Sequence, residues 1–413
     1  MNRRDLLIGA MAAIALPKAP THARPSMPAD DALHRLLDAI DPGADPSESH
    51  RRLADIDASR LSPSARADLE TVLWGLAIDA DIARGSAGYG QLFERQFGAP
   101  FEPRALHRRF ETQAKALARR ADSLLRAEGL MHGSVGQRLR EFARQPRWLY
   151  DDNDAGRVQA VADMSRTLAA SRIRLPALVT GLPAEAGDVI VQSLSADDIA
   201  AGRQGYRAPP QDGRPGTYHV DLREIRRRPR WSLPSVVHHE LLPGHFVQQA
   251  LQSLATPHPL RLRYAPNFAE GWAIYAEQLS VEAGLLRHDR PAMIGYLQWM
   301  LFRIGRAAID TGVHIMGWSV SQAVDFVAEL QGDAMIFAPF ERDIERIRQN
   351  PGGRAAEAMT WLALAEQRDA MVGRERGKRM AAFHHAVLRE GAMPFGLLKE
   401  RLAGAKSGGG GSP

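Results

Sequence analysis

Three histidines and a glutamate fall within eight residues of the stretch VVHHELLPGHFVQQ: His238, His239, Glu240 and His245. Imidazole nitrogens and carboxylates ligate divalent transition metals, and a zinc ion that does chemistry takes three protein ligands and keeps one position open. The order nearly spells the zinc-protease helix H-E-x-x-H, but Leu241, Leu242, Pro243 and Gly244 stand between Glu240 and His245. At about 100° per residue, the six-residue step from His239 to His245 turns about 600°, so a regular helix would point them in different directions. Pro243 removes a backbone donor and crowds the preceding turn, and Gly244 permits backbone shapes that other residues avoid. A break there could swing His245 back toward His239. His238 and His245, seven apart, share a face with no distortion at all, so spacing alone leaves both pairs open.

A third ligand is available in NFAEGWAIYAEQLSVEAG, which begins 22 residues after His245. Glu270 and Glu277 are seven apart and share one helical face, with Ala273 and Ile274 between them. Carboxylates on an apolar stripe are costly unless paired or bound to a metal. Glu270 suits the role of ligand, and Glu277 that of a carboxylate orienting a ligand histidine from behind.

These residues need a scaffold. From about Asp31 to Ser171, apolar residues recur three and four apart with charges between them, which predicts helices. DVIVQSLS, from Asp188, reads as a strand. YRAPPQDGRPGTYHVDL reads as a Pro/Gly-rich loop running into a second strand, Thr217 to Leu222. Arg-rich REIRRRPRW follows; it could bind an acidic substrate, and otherwise reads as a solvated loop face. SLPSVVHHELL then begins a helix, with Pro234 suited to its first turn. From Asn267 to about Ala403 the pattern is helical again. The fold class expected is mainly α (α+β), with a small β element beside the metal-binding helix. The expected organisation is a helical scaffold over 30–185, a metal-binding catalytic region over 186–403 and a flexible Gly/Ser tail over 404–413.

Composition narrows the chemistry. The 413 residues are 45% hydrophobic and 24% charged, and no cysteine is present. Within this sequence that excludes disulfides, thiolate ligands, cysteine nucleophiles and lipid attachment at cysteine. The net charge is +5, of which the first 23 residues carry +2, and the mild remainder gives no argument for nucleic acid. Those first residues place Arg3-Arg4 before an apolar run from Leu6 to Leu16, with Thr21-His22-Ala23 after it. The run is shorter than the roughly 20 residues that span a bilayer. The segment resembles a twin-arginine export signal ending at residue 23. The expected location is periplasmic or secreted, with the twin-arginine machinery as a transient partner and no stable membrane anchor.

Four motifs then occur in order: DGRPGTY (Asp212 to Tyr218), HELLPGHFVQ (His239 to Gln248), EGWAIYAEQL (Glu270 to Leu279) and DTGVH (Asp310 to His314), the last followed by Gly317-Trp318. In these the chain resembles the domain of unknown function 885 family, bacterial proteins expected to be helical zinc metallopeptidases. The H-E-x-x-P-G-H spacing is that family's own. The resemblance is strong from about Tyr206 to Val320 and moderate to about Leu402. It implies a zincin-like metallohydrolase with one Zn2+ per chain held by His239, His245 and Glu270, another divalent metal being admissible. It implies Glu240 as general base, which suits a carboxylate beside a metal. His314 would donate to a developing oxyanion, and Tyr218 with its strand would hold an extended substrate. Tyr275 is a further substrate-binding candidate that equally suits the core.

One segment departs from the pattern. Where the family carries a P-G-Q-A-L-S-Y-K-like motif, this chain reads IERIRQNPGGRAAEAMTW. Gly353, Glu357 and Ala358 replace the polar Gln, Tyr and Lys. If Glu357 faced the site, it would repel a substrate carboxylate and favour an amine. The function expected is hydrolysis of an amide bond in a peptide or small substrate. The alternatives are a metal-dependent enzyme acting on a specialised non-peptide molecule, and a non-catalytic metal-site binding protein.

Overall fold

In the computed structural model, the described residues are 27–41, 43–85, 87–211, 213–332, 340–373 and 377–408. The segment expected to be an export signal and Asp212 lie outside them. The protein is mainly helical, with one three-stranded mixed sheet. Strand β1 (Val189–Ser193) and strand β3 (Gly216–Val220) arise where the sequence predicts strands. Between them the expected loop supplies a third strand, β2 (Tyr206–Ala208).

β3 is central. It pairs in parallel with β1 and antiparallel with β2, so Tyr218 lies opposite both Val191 and Arg207. This corrects one expectation. A strand hydrogen-bonded on both sides has no free ladder for an extended substrate, so Tyr218 can contribute its side chain only.

The long helices build the frame. Arg290–Ile315 packs along Pro103–Ala127, and Phe268–Glu282 packs on Gly353–Val372. The second crossing is close at Gly271, where a Cβ would stand 2.3 Å from Thr360 Cβ. The short helix Leu233–Glu240 sits among Phe268–Glu282, Arg290–Ile315 and Asp154–Leu178. Val236 and Val237 of that helix join one continuous core with Phe110 and Leu139 from the first half of the chain and with Trp361 and Leu402 from the second. A separate cluster around Leu33, Leu69 and Tyr264 holds the N-terminal helices. The last helix runs on to Gly408, into the stretch where a flexible tail is expected from residue 404. Among the described residues, no helix is long and apolar enough to cross a membrane.

The core also holds ionisable chains. Tyr275, fully buried, donates to His384 Nε2 at 2.7 Å, and His384 Nδ1 donates to the Leu178 carbonyl at 2.6 Å. Arg368 donates to the same tyrosine oxygen at 3.3 Å. Burial, with Arg368 adding to it, pushes the His384 imidazole down to about 4 against the Leu178 hydrogen bond. The unfolded chain therefore binds a proton that the folded chain refuses between pH 6.5 and about 4. The contribution of neutral His384 is complete above 6.5 and falls away as pH drops toward 4. The melting temperature should decline across that window, and His384→Gln should flatten the decline. An unchanged pH slope in the variant would show that this imidazole is not held neutral.

Candidate metal centre

Glu240 ends the Leu233–Glu240 helix and His245 begins His245–Ala255. The four residues between them turn the chain, with a cis peptide bond at Leu242–Pro243. Gly244 is required for space: a Cβ there would lie 1.9 Å from the His239 carbonyl oxygen and 2.5 Å from that of His238. Trp272 fixes the turn from the neighbouring helix, donating its Nε1–H to the carbonyls of Pro243 at 3.1 Å and Gly244 at 3.2 Å. The break is thus a built corner, and it brings the His239 and His245 rings to a centroid separation of 5.0 Å at 87°.

Glu270, in the first turn of Phe268–Glu282, faces both rings. Its Oε2 is 3.5 Å from His239 Nε2 and its Oε1 is 3.3 Å from His245 Nε2. One ligand atom from each of the three residues lies within 4.8 Å of the others, a spacing that can hold a metal ion. The donor set fits a divalent metal for a second reason. Both ring nitrogens of His245 are buried and meet no hydrogen-bond partner of adequate geometry. Two imidazoles and a carboxylate are also a recognised catalytic zinc set.

The carboxylate behind the site is equally defined. Glu277 accepts from His239 Nδ1 at 2.9 Å and from the Ser235 hydroxyl, which leaves Nε2 of His239 directed to Glu270. Buried Glu277 thus occupies the position of an orienting carboxylate. Burial and Arg303 push the His239 imidazole down, but Glu270 and Glu277 outweigh them and raise it to about 9. Burial works to raise the Glu270 carboxyl, yet His245 and His239 hold it well below the ordinary carboxylate value.

Glu240 lines the same cleft of about 610 Å³, together with Tyr218, His239, Glu270, Glu277, Trp299, Arg228 and Arg303. Its carboxylate is paired with Arg207 on β2. Burial raises that carboxyl, but Arg207 and the two histidines outweigh the burial and hold it low. Burial, with Glu240 nearby, raises the Tyr218 phenol, so Tyr218 stands in the cleft as a neutral O–H.

His238 turns the other way. Its Nδ1 meets Ser171 Oγ at 3.2 Å and the Leu242 carbonyl at 3.4 Å, and burial pushes it down to about 4. The undistorted pairing of His238 with His245 is therefore not the one the fold assembles.

Three further residues named from the sequence are not brought to the cleft. His314 lies eleven residues beyond Arg303 on one helix, roughly 16 Å along its axis. There it stacks on Tyr89 at 5.6 Å and meets the Ile347 carbonyl at 3.2 Å. Tyr275 is the core residue bound to His384. Glu357 is buried and paired with Arg354 at 2.6 Å, so its charge is met within its own helix. With that pair formed, Glu357 gives no ground for an amine-bearing substrate.

Sequence reading missed Arg207, Arg303 and Ser235. No local signal marks two arginines among 53 basic residues. It also missed the work of Asp310 in DTGVH. Asp310 accepts from the amides of Gly352 and Ala355, each at 3.0 Å, and from Tyr89 at 3.2 Å, and so caps the Gly353–Val372 helix.

The fold has solved counterparts. One is a candidate lipoprotein from Colwellia psychrerythraea, 24% identical, in which 92% of this chain aligns with 70% of that one at a TM-score of 0.66. Another is a candidate lipoprotein of unknown function from Shewanella oneidensis, 15% identical, aligning 91% of this chain with 72% of that one at a TM-score of 0.59. These likenesses establish the fold. No curated protein matches the sequence. A family of bacterial proteins of unknown function, DUF885, matches residues 8–402. With nearly its whole length covered, helical frame and histidine corner included, the chain belongs to the DUF885 family.

Proposed function

We propose that this protein is an exported metallohydrolase that cleaves an amide bond, with His239, His245 and Glu270 holding one divalent ion, zinc by donor type. The observation that carries the reading is the convergence of those three side chains beside a cleft, lined by His239 and Glu270, that also holds a carboxylate, Glu240, outside the ligand set. A purely structural site has no use for that fourth group. A divalent ion there supplies Lewis acidity and lowers the pKa of water. Glu240 accepts a proton from the attacking water and returns it to the leaving nitrogen. Glu277 and Ser235 hold the His239 ring in place. Tyr218, kept protonated by burial, donates to the oxygen that gains charge as the carbonyl is attacked, the role that His314 is too distant to fill.

Export is supported by Arg3-Arg4 ahead of the apolar run. The likeness in fold to candidate lipoproteins of two other bacteria agrees with it.

The test is elemental analysis of the purified protein followed by digestion of a peptide mixture read by mass spectrometry. The expected result is about one divalent ion per chain and new peptide termini that disappear on chelation. A protein that binds no ion, or a fully loaded one that leaves the mixture intact, would overturn the peptidase reading.

A further inference from the structure

We propose that the cleft takes a small amide substrate carrying a carboxylate close to the scissile bond, and that Arg303 is the residue that binds it; the proposal rests on the metallohydrolase reading above. The charges around the site are the first ground. Asp221 of the cleft is tied to Arg223, and Glu224 to Arg227. The acids left are Glu240, Glu270 and Glu277. Arg207 and Arg303 answer two of these negative charges, and a divalent ion brings two more positive charges, so the loaded site is already in surplus. A local surplus of positive charge at the ion-loaded centre favours an anionic ligand.

The form of the cations is the second ground. Those lining the cleft are guanidiniums, planar forks that match a carboxylate with two parallel hydrogen bonds. Arg303 is the best placed of them. It lies one helical turn after Trp299, and both line the cleft. Its guanidinium packs by the rings of Trp299 at 5.4 Å and Phe302 at 5.7 Å, which fix its plane. Nη2 stands 3.3 Å from His239 Nδ1, so a group held by Arg303 sits beside the ligand set. Its contact to Glu277 is long, at 3.6 Å, and its buried Nε meets no hydrogen-bond partner. The ion pair with Glu277 thus holds the guanidinium only loosely.

Size is the third ground. A volume of about 610 Å³ is that of a small-molecule site, suited to a short peptide or a comparable amide.

The test uses binding and turnover separately. Glutarate, and butyrate as the partner that lacks the second carboxylate, are titrated by calorimetry into the zinc-loaded and the metal-free protein. Zinc-loaded protein should bind glutarate on the order of tenfold more tightly than butyrate, the effect of one added charge-assisted contact. Arg303→Gln should erase that ratio, and Arg303→Lys should keep part of it. Circular dichroism and metal content of both variants separate a lost contact from a lost fold. Matched peptides bearing Glu, Gln or Lys beside the scissile bond should then be cleaved in that order of kcat/KM. Equal binding of glutarate and butyrate by both forms of the wild-type chain, an Arg303→Gln protein with the full ratio, or a preference for Lys peptides would each overturn the proposal. A glutarate preference that persists while no peptide is cut would instead sink the hydrolase reading and leave the carboxylate site standing.

Discussion

Glu240→Gln is expected to keep its metal and lose turnover by a factor on the order of 10² or more, the usual weight of a general base. Glutamine preserves the size of the side chain and can still accept a hydrogen bond from Arg207, so the corner at Leu241–Gly244 should stand. What it cannot do is take up a proton. Glu240 is outside the group formed by His239, His245 and Glu270, so metal stoichiometry should match the wild type. The measurement is kcat with metal content determined on the same sample. Near-normal turnover from a loaded variant would remove Glu240 as the base. Lost turnover together with lost metal would recast it as a ligand.

Glu270→Ala should release the ion, and the neighbouring substitutions should rank behind it. Removing one of three protein ligands leaves only His239 and His245 to hold the ion. Glu277→Gln leaves all three ligands but weakens the hold on His239 Nδ1, so affinity should fall roughly 10- to 100-fold. His238→Asn should bind normally, because His238 faces Ser171 and the Leu242 carbonyl. Competition with a chromophoric chelator gives all three affinities on one scale. Full retention in Glu270→Ala, with loss in His238→Asn, would mean that the seven-residue pair His238 and His245 is the true one. The order Glu270, Glu277, His238 is the expected result.

The parts legible in the sequence were those that local rules govern. Residue type marked the donors, and a seven-residue step put Glu270 and Glu277 on one face. Pro243-Gly244 marked a broken helix. Alternation and β-branching located β1 and β3, while the irregular, proline-bearing stretch before β3 hid β2. Some misreadings were avoidable by the same rules. Tyr275 follows Glu270 by five residues, about 140° around the helix once full turns are removed, which turns it from the ligand face. Arg354 stands three residues before Glu357, the spacing of a helical ion pair.

Other features were decided only when distant segments met. Arg207 comes from an edge strand and Arg303 from a long helix, yet both close on a site built by three other helices. His239 and His245 could be counted as six residues apart, but their approach depends on Trp272 holding the turn and on the absence of a Cβ at Gly244. His314 illustrates the converse, for a motif placed beside a site in sequence can be carried away by the rise of a single helix. The sequence by itself determined which atoms can ligate a metal and which local segments carry them, because donor chemistry and helical phase are properties of neighbouring residues. The tertiary structure alone decided which charges face the cleft and which are answered elsewhere, because pairing and burial depend on segments far apart in the chain.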